Sequence, residues 1–484
     1  MSPQTFTKQY INGEWKTGSS EKTVENVNPY TNQTIASIQS ANEQDLDEAY
    51  KAAEAAQKDW QKLTPGKKQA YFDALLKAMT KRKDEIVDWL VKESGSTLIK
   101  AEVEFQSAYG ILRESASFPT RMEGQILPSN IPEKENRVYR SPKGVIGVIG
   151  PWNFPFHLAM RSVAPAIATG NAVVVKPASS TPATAGLLLA DLFEEAGFPK
   201  GVINAVVGRG SEIGDAFVAH PVPKLISFTG STEVGSHIGE LAGKHIKDTA
   251  LELGGNNAML VLEDADVEKA VQAAAFGKFL HQGQICIALN RIVVHESVHD
   301  QFVEALKQKV EGLQSGDPAE IQTVVGPLIN QEASERIQND IGESIEQGAT
   351  KLVGGEVSGN LMQPTLLTNV TNEMPIAKNE IFGPVAAVIK VTSEEEAIEV
   401  ANDSPYGLGG SVFTKDVHRG VEVAKQIETG MIHVNDQSVN DEGHVAFGGE
   451  KQSGLGRFGG AFAIDKFTTV KTIGVMNGYR EFPF

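Results

Sequence analysis

Short, near-continuous apolar runs separated by helical patterns constrain this chain most. Val145-Ile-Gly-Val-Ile-Gly150, Asn171-Ala-Val-Val-Val-Lys176, Val202-Ile-Asn-Ala-Val-Val207, Leu225-Ile-Ser-Phe228 and Asn257-Ala-Met-Leu-Val-Leu262 are runs of this kind. The clearest helical pattern between them has Thr181 as cap, Pro182 in the first turn, Leu187 to Phe193 as body and Gly197 just past the end. Such alternation predicts an α/β fold with a doubly wound parallel sheet. Sheets of that class bind nucleotides at the carboxyl ends of their strands.

After about residue 263 a second alternating region begins. Helical spacing over Val267–Gly277 and Asp300–Leu313 is followed by strand candidates at Pro364–Val370, Ala386–Val391, Gly410–Phe413 and Gly430–Val434. Upstream, Gln9-Tyr-Ile-Asn-Gly-Glu-Trp15 reads as a hairpin about an Asn-Gly turn, and Asn42 as the cap of a helix with Leu46, Ala49, Tyr50, Ala53 and Trp60 on one face. Helical patterns continue to about Phe118 and read as scaffold. Thr468–Thr472 reads as an edge strand, and the aromatic tail from Tyr479 to Phe484 is expected to dock on a neighbour. A chain of 484 residues is too long for one ordinary core and implies two or three domains.

Charge and cysteine content narrow the chemistry. The net charge of −17 argues against nucleic acid or an anionic membrane as partner. Met1–Tyr10 lacks the apolar core of a signal peptide, and no apolar run reaches membrane-spanning length. Ten scattered histidines form no paired ligand motif, so no catalytic metal is expected. Cys286 is the one cysteine, which fits a reducing cytosol. A lone thiol is first read as a buried structural one. To act as a nucleophile it needs an oxyanion donor, a base and a place for a second reactant.

Candidates for each exist. Pro151-Trp-Asn-Phe-Pro155 is a rigid turn after a strand that offers the Asn153 amide, although alone it reads equally as a packed loop. Leu251-Glu-Leu-Gly-Gly255 sets Glu252 among apolar neighbours, where desolvation would raise its pKa toward that of a general base; otherwise it is a surface glutamate. Lys176 ends an apolar strand, either solvated or pointing toward a ribose. Phe228-Thr-Gly-Ser-Thr-Glu-Val-Gly235 follows a strand and opens a helix whose N–H groups, with Ser231 or Thr232 as cap, suit a pyrophosphate. Gly208-Arg-Gly-Ser-Glu-Ile-Gly214 has one residue too many for a dinucleotide fingerprint and is set aside.

Six motifs in order, Pro151–Pro155, Lys176-Pro-Ala-Ser179, Phe228–Thr232, Glu252–Asn256, Gln282-Gly-Gln-Ile-Cys286 and Glu380-Ile-Phe-Gly-Pro384, resemble the NAD(P)-dependent aldehyde dehydrogenase superfamily. The resemblance runs essentially end to end and includes Phe447-Gly-Gly-Glu-Lys-Gln-Ser-Gly454. It implies that Cys286 is the nucleophile, that Asn153 and the Cys286 N–H form an oxyanion hole, and that Glu252 is the base. Lys176 and Glu380 would hold ribose hydroxyls, Ser231 the pyrophosphate and Phe382 the nicotinamide ribose. Trp152, Ser179 and Gly230 complete the cofactor set. Phe154, Leu158, Ile285, Ile287 and Phe447 match tunnel-lining positions. With Glu252 intact, hydrolysis of the acyl-enzyme is expected rather than transfer to coenzyme A.

Ser179 stands where many strictly NAD-dependent members carry an acid, so NAD is expected and NADP stays open. Phe156–Arg161 and Val434–Gly459 look most like the benzaldehyde and vanillin dehydrogenase branch, with Met160 and Arg161 replacing a bulky aromatic of the tunnel wall. The alternatives are an aliphatic or semialdehyde dehydrogenase, a cysteine hydrolase or esterase without redox change, and a non-catalytic protein on the same scaffold. The resemblance further implies a Rossmann-type NAD(P)-binding domain (1–119 and 141–251), a second α/β catalytic domain (252–437) and a small β oligomerisation arm (120–140 and 438–484). It also implies a cytoplasmic homodimer or homotetramer.

Overall fold

The computed structural model describes residues 6–484; residues 1–5, the start of the expected first domain segment and half of the stretch read for a signal peptide, lie outside it. Five parallel strands form the centre of an eight-stranded sheet. In spatial order they are Ile203–Ala205, Ala172–Lys176, Val145–Ile149, Leu225–Thr229 and Asp248–Glu252. The order reverses between Val145–Ile149 and Leu225–Thr229, so the turns that follow these two strands flank the switch-point crevice where ligands bind in such sheets. The expected hairpin is present, Gln9–Ile11 against Glu14–Lys16, with Asn12 and Gly13 both at positive φ as its turn requires. It joins one edge of this sheet, and Gly454–Leu455 closes the other, antiparallel to Asp248–Glu252.

The run at 257–262 is a strand, Asn257–Val261, but it belongs to a second sheet. That sheet has seven strands, ordered Thr350–Val353, Thr365–Thr368, Val385–Val391, Leu289–His295, Asn257–Val261, Gly410–Phe413 and His433–Val434. Its central strand Leu289–His295 escapes the sequence pattern because Asn290 and Arg291 interrupt the apolar run. Both are buried and satisfied by hydrogen bonds: Asn290 donates to Asn256 (3.0 Å) and the Asn379 carbonyl (2.9 Å), Arg291 to Asn256 (3.1 Å) and the Ala401 carbonyl (3.0 Å).

The helix Glu43–Trp60 begins at Asn42, whose side chain accepts from the Gln44 and Asp45 amides, as expected. The helix after Thr181 is capped differently. The Thr181 hydroxyl makes no capping bond; the buried carboxylate of Glu93 accepts from the Ala183 (2.8 Å) and Thr184 (2.7 Å) amides instead, and from Asn26 (2.6 Å). A third sheet pairs Thr468–Met476 with Lys134–Pro142 and the latter with Gln125–Pro128. Thr468–Met476 is its edge, longer than the strand expected there. Val470, Ile473, Ile126, Tyr479, Phe482 and Phe484 are exposed on or beside it. Among the described residues no helix is long and apolar enough to cross a membrane.

Candidate active site

Cys286 lies where the two large sheets meet, in the turn between the helix Val267–Phe279 and the strand Leu289–His295. Three successive residues before it, His281, Gln282 and Gly283, have left-handed backbone (φ 49°, 57° and 70°). Two non-glycine residues in that region carry strain that surrounding contacts must hold. The Gln282 amide donates to the carbonyls of Pro327 (2.8 Å) and Gly95 (3.2 Å), and the Ile329 N–H donates to Gln284 (3.0 Å). Asn257 takes the carbonyls of Cys286 (2.8 Å) and Ala288 (2.7 Å). Gly255 lets that carbonyl approach, since a Cβ there would lie 2.3 Å from the Cys286 oxygen.

Two cavities share Cys286 and Asn153 as a common wall. The larger, about 770 Å³, runs along the switch-point crevice and is lined by Trp152, Lys176, Ser179, Gly230, Ser231, Glu380 and Phe382 among others. The smaller, about 50 Å³, is lined by Phe154, Leu158, Arg161, Ile285, Ile287 and Phe447, and also by Val103, Ser107, His157, Val439, Asn440 and Asp441. Every cofactor and tunnel residue named from the sequence thus lines one of the two. Glu252 lines neither: it is buried at the end of Asp248–Glu252, and a Cβ on Gly448 would lie 3.2 Å from its Oε1.

The Asn153 side chain is buried and donates one N–H to the Gln284 carbonyl (3.0 Å), which leaves its second N–H to donate. Burial pushes the Cys286 thiol up to about 12; Arg161 opposes this, and Glu380, Glu252 and Asp441 add to it. Burial also raises Glu252 to about 8, and its carboxylate has no hydrogen-bond partner among the described residues. Ordinary carboxylates titrate several units lower, so this one is poised to exchange a proton near neutral pH.

In the groove, Ser231 caps the helix Thr232–Lys244 by accepting from the Val234 N–H, and the free amides of its first turn face the crevice end. Burial lowers Lys176 to about 8, against the field of Glu212. Glu380 accepts from the Gly255 N–H (2.9 Å); Gly254 makes room for it, since a Cβ there would lie 2.5 Å from Oε2. Burial pushes the Glu380 carboxyl up and the buried Lys278 ammonium behind it down. Phe382, with φ of 50°, stands edge-on to Trp152 at 5.6 Å. The stretch 208–214, set aside on spacing, does reach the groove: Gly210, Ser211, Gly214 and Asp215 form part of its wall. Its short helical turn, rather than a Gly-x-Gly loop, brings it there.

In the tunnel, Arg161 is only 2% exposed, stacks on Phe447 at 4.0 Å and donates through Nη1 to Asp441 (3.1 Å). His157 shares the same carboxylate at 2.8 Å. Burial opposes the charge on Asp441, yet these two partners hold it below the usual carboxylate range. Asp441 and His157 carry no motif and lie 284 residues apart, so only the fold joins them.

The chain matches the aldehyde dehydrogenase family over residues 15–473. It is 50% identical to a benzaldehyde dehydrogenase of Bacillus subtilis (strain 168), over 99% of each chain. It is 51% identical to a vanillin dehydrogenase of Corynebacterium glutamicum, over 97% of each. A solved NAD-dependent benzaldehyde dehydrogenase from Corynebacterium glutamicum superposes with a TM-score of 0.91 at 47% identity, covering 99% of this chain and 100% of that one. With a thiol, an amide donor and a buried carboxylate gathered between a dinucleotide-sized groove and a narrow tunnel, and with these likenesses spanning nearly its full length, the chain belongs to the aldehyde dehydrogenase family.

Proposed function

We propose that this chain oxidises aromatic aldehydes of the benzaldehyde and vanillin type to carboxylic acids, with NAD as the hydride acceptor. One observation carries the reading: Cys286 and Asn153 form a wall common to the large groove and the narrow tunnel, so a group in each would meet at the thiol. The benzaldehyde and vanillin dehydrogenases to which the chain is about half identical support the substrate class.

The groove suits a dinucleotide. Gly230, Ser231 and the first-turn amides of Thr232–Lys244 would hold the pyrophosphate. Lys176 and Glu380 would hold ribose hydroxyls, the latter in the space that Gly254 leaves, while Trp152 and Phe382 offer edge-to-face walls. Bound there, the oxidised nicotinamide supplies a two-electron hydride acceptor. Ser179 leaves NADP admissible; Glu212, whose field reaches Lys176, favours NAD by repelling a 2′-phosphate.

In the proposed reaction the Cys286 thiol gives its proton to Glu252, and the sulfur bonds to the aldehyde carbon. The carbonyl π pair moves onto oxygen, where the second Asn153 N–H and the Cys286 N–H donate. One such prepositioned donor is worth about 3–4 kcal/mol. The aldehydic hydrogen then leaves with its electron pair, so the substrate is oxidised by two electrons and remains as a thioester on Cys286. Glu252 takes a proton from water, whose oxygen bonds to the carbonyl carbon. The C–S bond breaks and the acid departs.

The domain division 1–119 with 141–251, 252–437, and 120–140 with 438–484 is part of the same proposal, supported by the two large sheets and the small third one. The exposed apolar third sheet and tail support assembly into a homodimer or homotetramer, and the lone thiol supports a cytoplasmic location.

The test is reduction of NAD and of NADP, followed by near-ultraviolet absorbance, with benzaldehyde, vanillin and acetaldehyde. We expect kcat/KM for the aromatic aldehydes to exceed that for acetaldehyde by about tenfold or more. The reverse ranking overturns the substrate class. No reduction with any aldehyde, from folded protein with a titratable thiol, overturns the redox reading in favour of a hydrolase.

A further inference from the structure

The helix Leu98–Ser115, scaffold by its sequence, carries a fully buried ion pair that faces the active-site turn. Lys100 and Glu104, one helical turn apart, are both completely buried and bonded to each other. The Lys100 ammonium also donates to the Ser96 hydroxyl (2.8 Å) and to the backbone carbonyl of Asn153 (2.7 Å). It sits over the Phe154 ring, 4.2 Å from the centroid, and His281 meets the same ring edge-on at 5.7 Å. Glu104 Oε1 accepts from the Phe156 (2.9 Å) and His157 (3.2 Å) amides, the unpaired donors at the start of the helix Pro155–Ala168.

The pair therefore grips the turn on both sides of the oxyanion donor. Lys100 fixes the main chain at Asn153 and the ring at 154, and Glu104 fixes the amides at 156 and 157. Burying two charges is expensive, and a pair of well-packed apolar residues would serve stability as well or better. Its retention is explained by geometry: an oxyanion donor works when it is fixed before charge develops. The groups that Lys100 faces include none that either cavity offers to a ligand directly, since neither Lys100 nor Glu104 lines a cavity.

We propose that Lys100, held by Glu104, is a positioning residue for the oxyanion hole and acts on the reaction through Asn153. The proposal rests on the reading of Asn153 as oxyanion donor. If it holds, Lys100 matters only when Asn153 has an oxyanion to bind.

The experiment is a double-mutant cycle on the full-length enzyme. Lys100→Met/Glu104→Gln removes both charges together, so no orphan charge stays buried, and glutamine keeps a carbonyl for the two amides. We expect kcat for aldehyde oxidation to fall by about 10- to 100-fold, while NAD affinity, aldehyde KM and the rate of Cys286 alkylation by iodoacetamide stay within about twofold. In an Asn153→Ala background the same pair of substitutions should cost no further activity. Lys100→Arg keeps the charge against Glu104 but displaces the donor; it should fold where the paired variant does not, and show the same non-additivity. Wild-type kcat in a folded variant overturns the proposal, as do equal losses with and without Asn153. Wild-type activity of Asn153→Ala alone would instead overturn the reading on which the proposal rests.

Discussion

Cys286 is surrounded so as to keep its thiol protonated: burial raises it to about 12, and of the charged neighbours only Arg161 favours the thiolate. The reaction then depends on Glu252, raised by burial to about 8 from an ordinary 4.5. Activity should rise with pH through about 8 as this carboxyl ionises. Glu252→Gln should stall after one turnover as acyl-enzyme, which a pre-steady-state burst without steady turnover would reveal. The same shift has a stability consequence. Because the folded pKa is raised, the fold favours the protonated form; that stabilisation is complete below about 4.5 and is lost as pH rises through about 8. Glu252→Gln should therefore raise Tm relative to wild type by an amount that grows over this window; a pH-independent difference would contradict the assignment. Ser179→Glu should raise KM for NADP by about tenfold or more and leave NAD nearly unchanged, since a new carboxylate repels the 2′-phosphate by ~1–4 kcal/mol. At this scale the motif-bearing residues were legible in the sequence because each sits in a short fixed-spacing signature. Lys100, His157 and Asp441 were not, because their partners lie tens to hundreds of residues away.

Among elements, the strands Val145–Ile149 and Ala172–Lys176 are legible because their runs are wholly apolar and buried on both faces. Leu289–His295 is equally central yet hidden, because its polar residues find hydrogen-bond partners only once the second sheet exists. The helix after Thr181 has its start visible in sequence but not its cap. Glu93, from the helix Lys83–Ser94, substitutes a distant carboxylate for the local hydroxyl. Glu93→Ala should leave Asn26 and two helix amides without their acceptor and cost about 2–4 kcal/mol, read as a lower Tm with KM for aldehyde unchanged. A neutral outcome would mean water replaces the carboxylate.

For the whole molecule, three sheets arise from one chain that leaves and re-enters each of them. The third presents an apolar edge: Val470 is 60% exposed and Ile473 45%. Val470→Glu/Ile473→Glu should lower the sedimentation coefficient to that of a single chain; an unchanged coefficient would locate the contact elsewhere. This sheet also sets a clock on biosynthesis. Arg140 and Thr468, bonded across it at 2.7 Å, are 328 residues apart along the chain. At about 5–20 residues per second, the middle strand waits roughly 20 s to a minute on the ribosome with one side unpaired before its mate is made. The large sheets can organise during that interval, whereas the arm must come last, so a chain cut short by premature termination is excluded from any assembly that uses it.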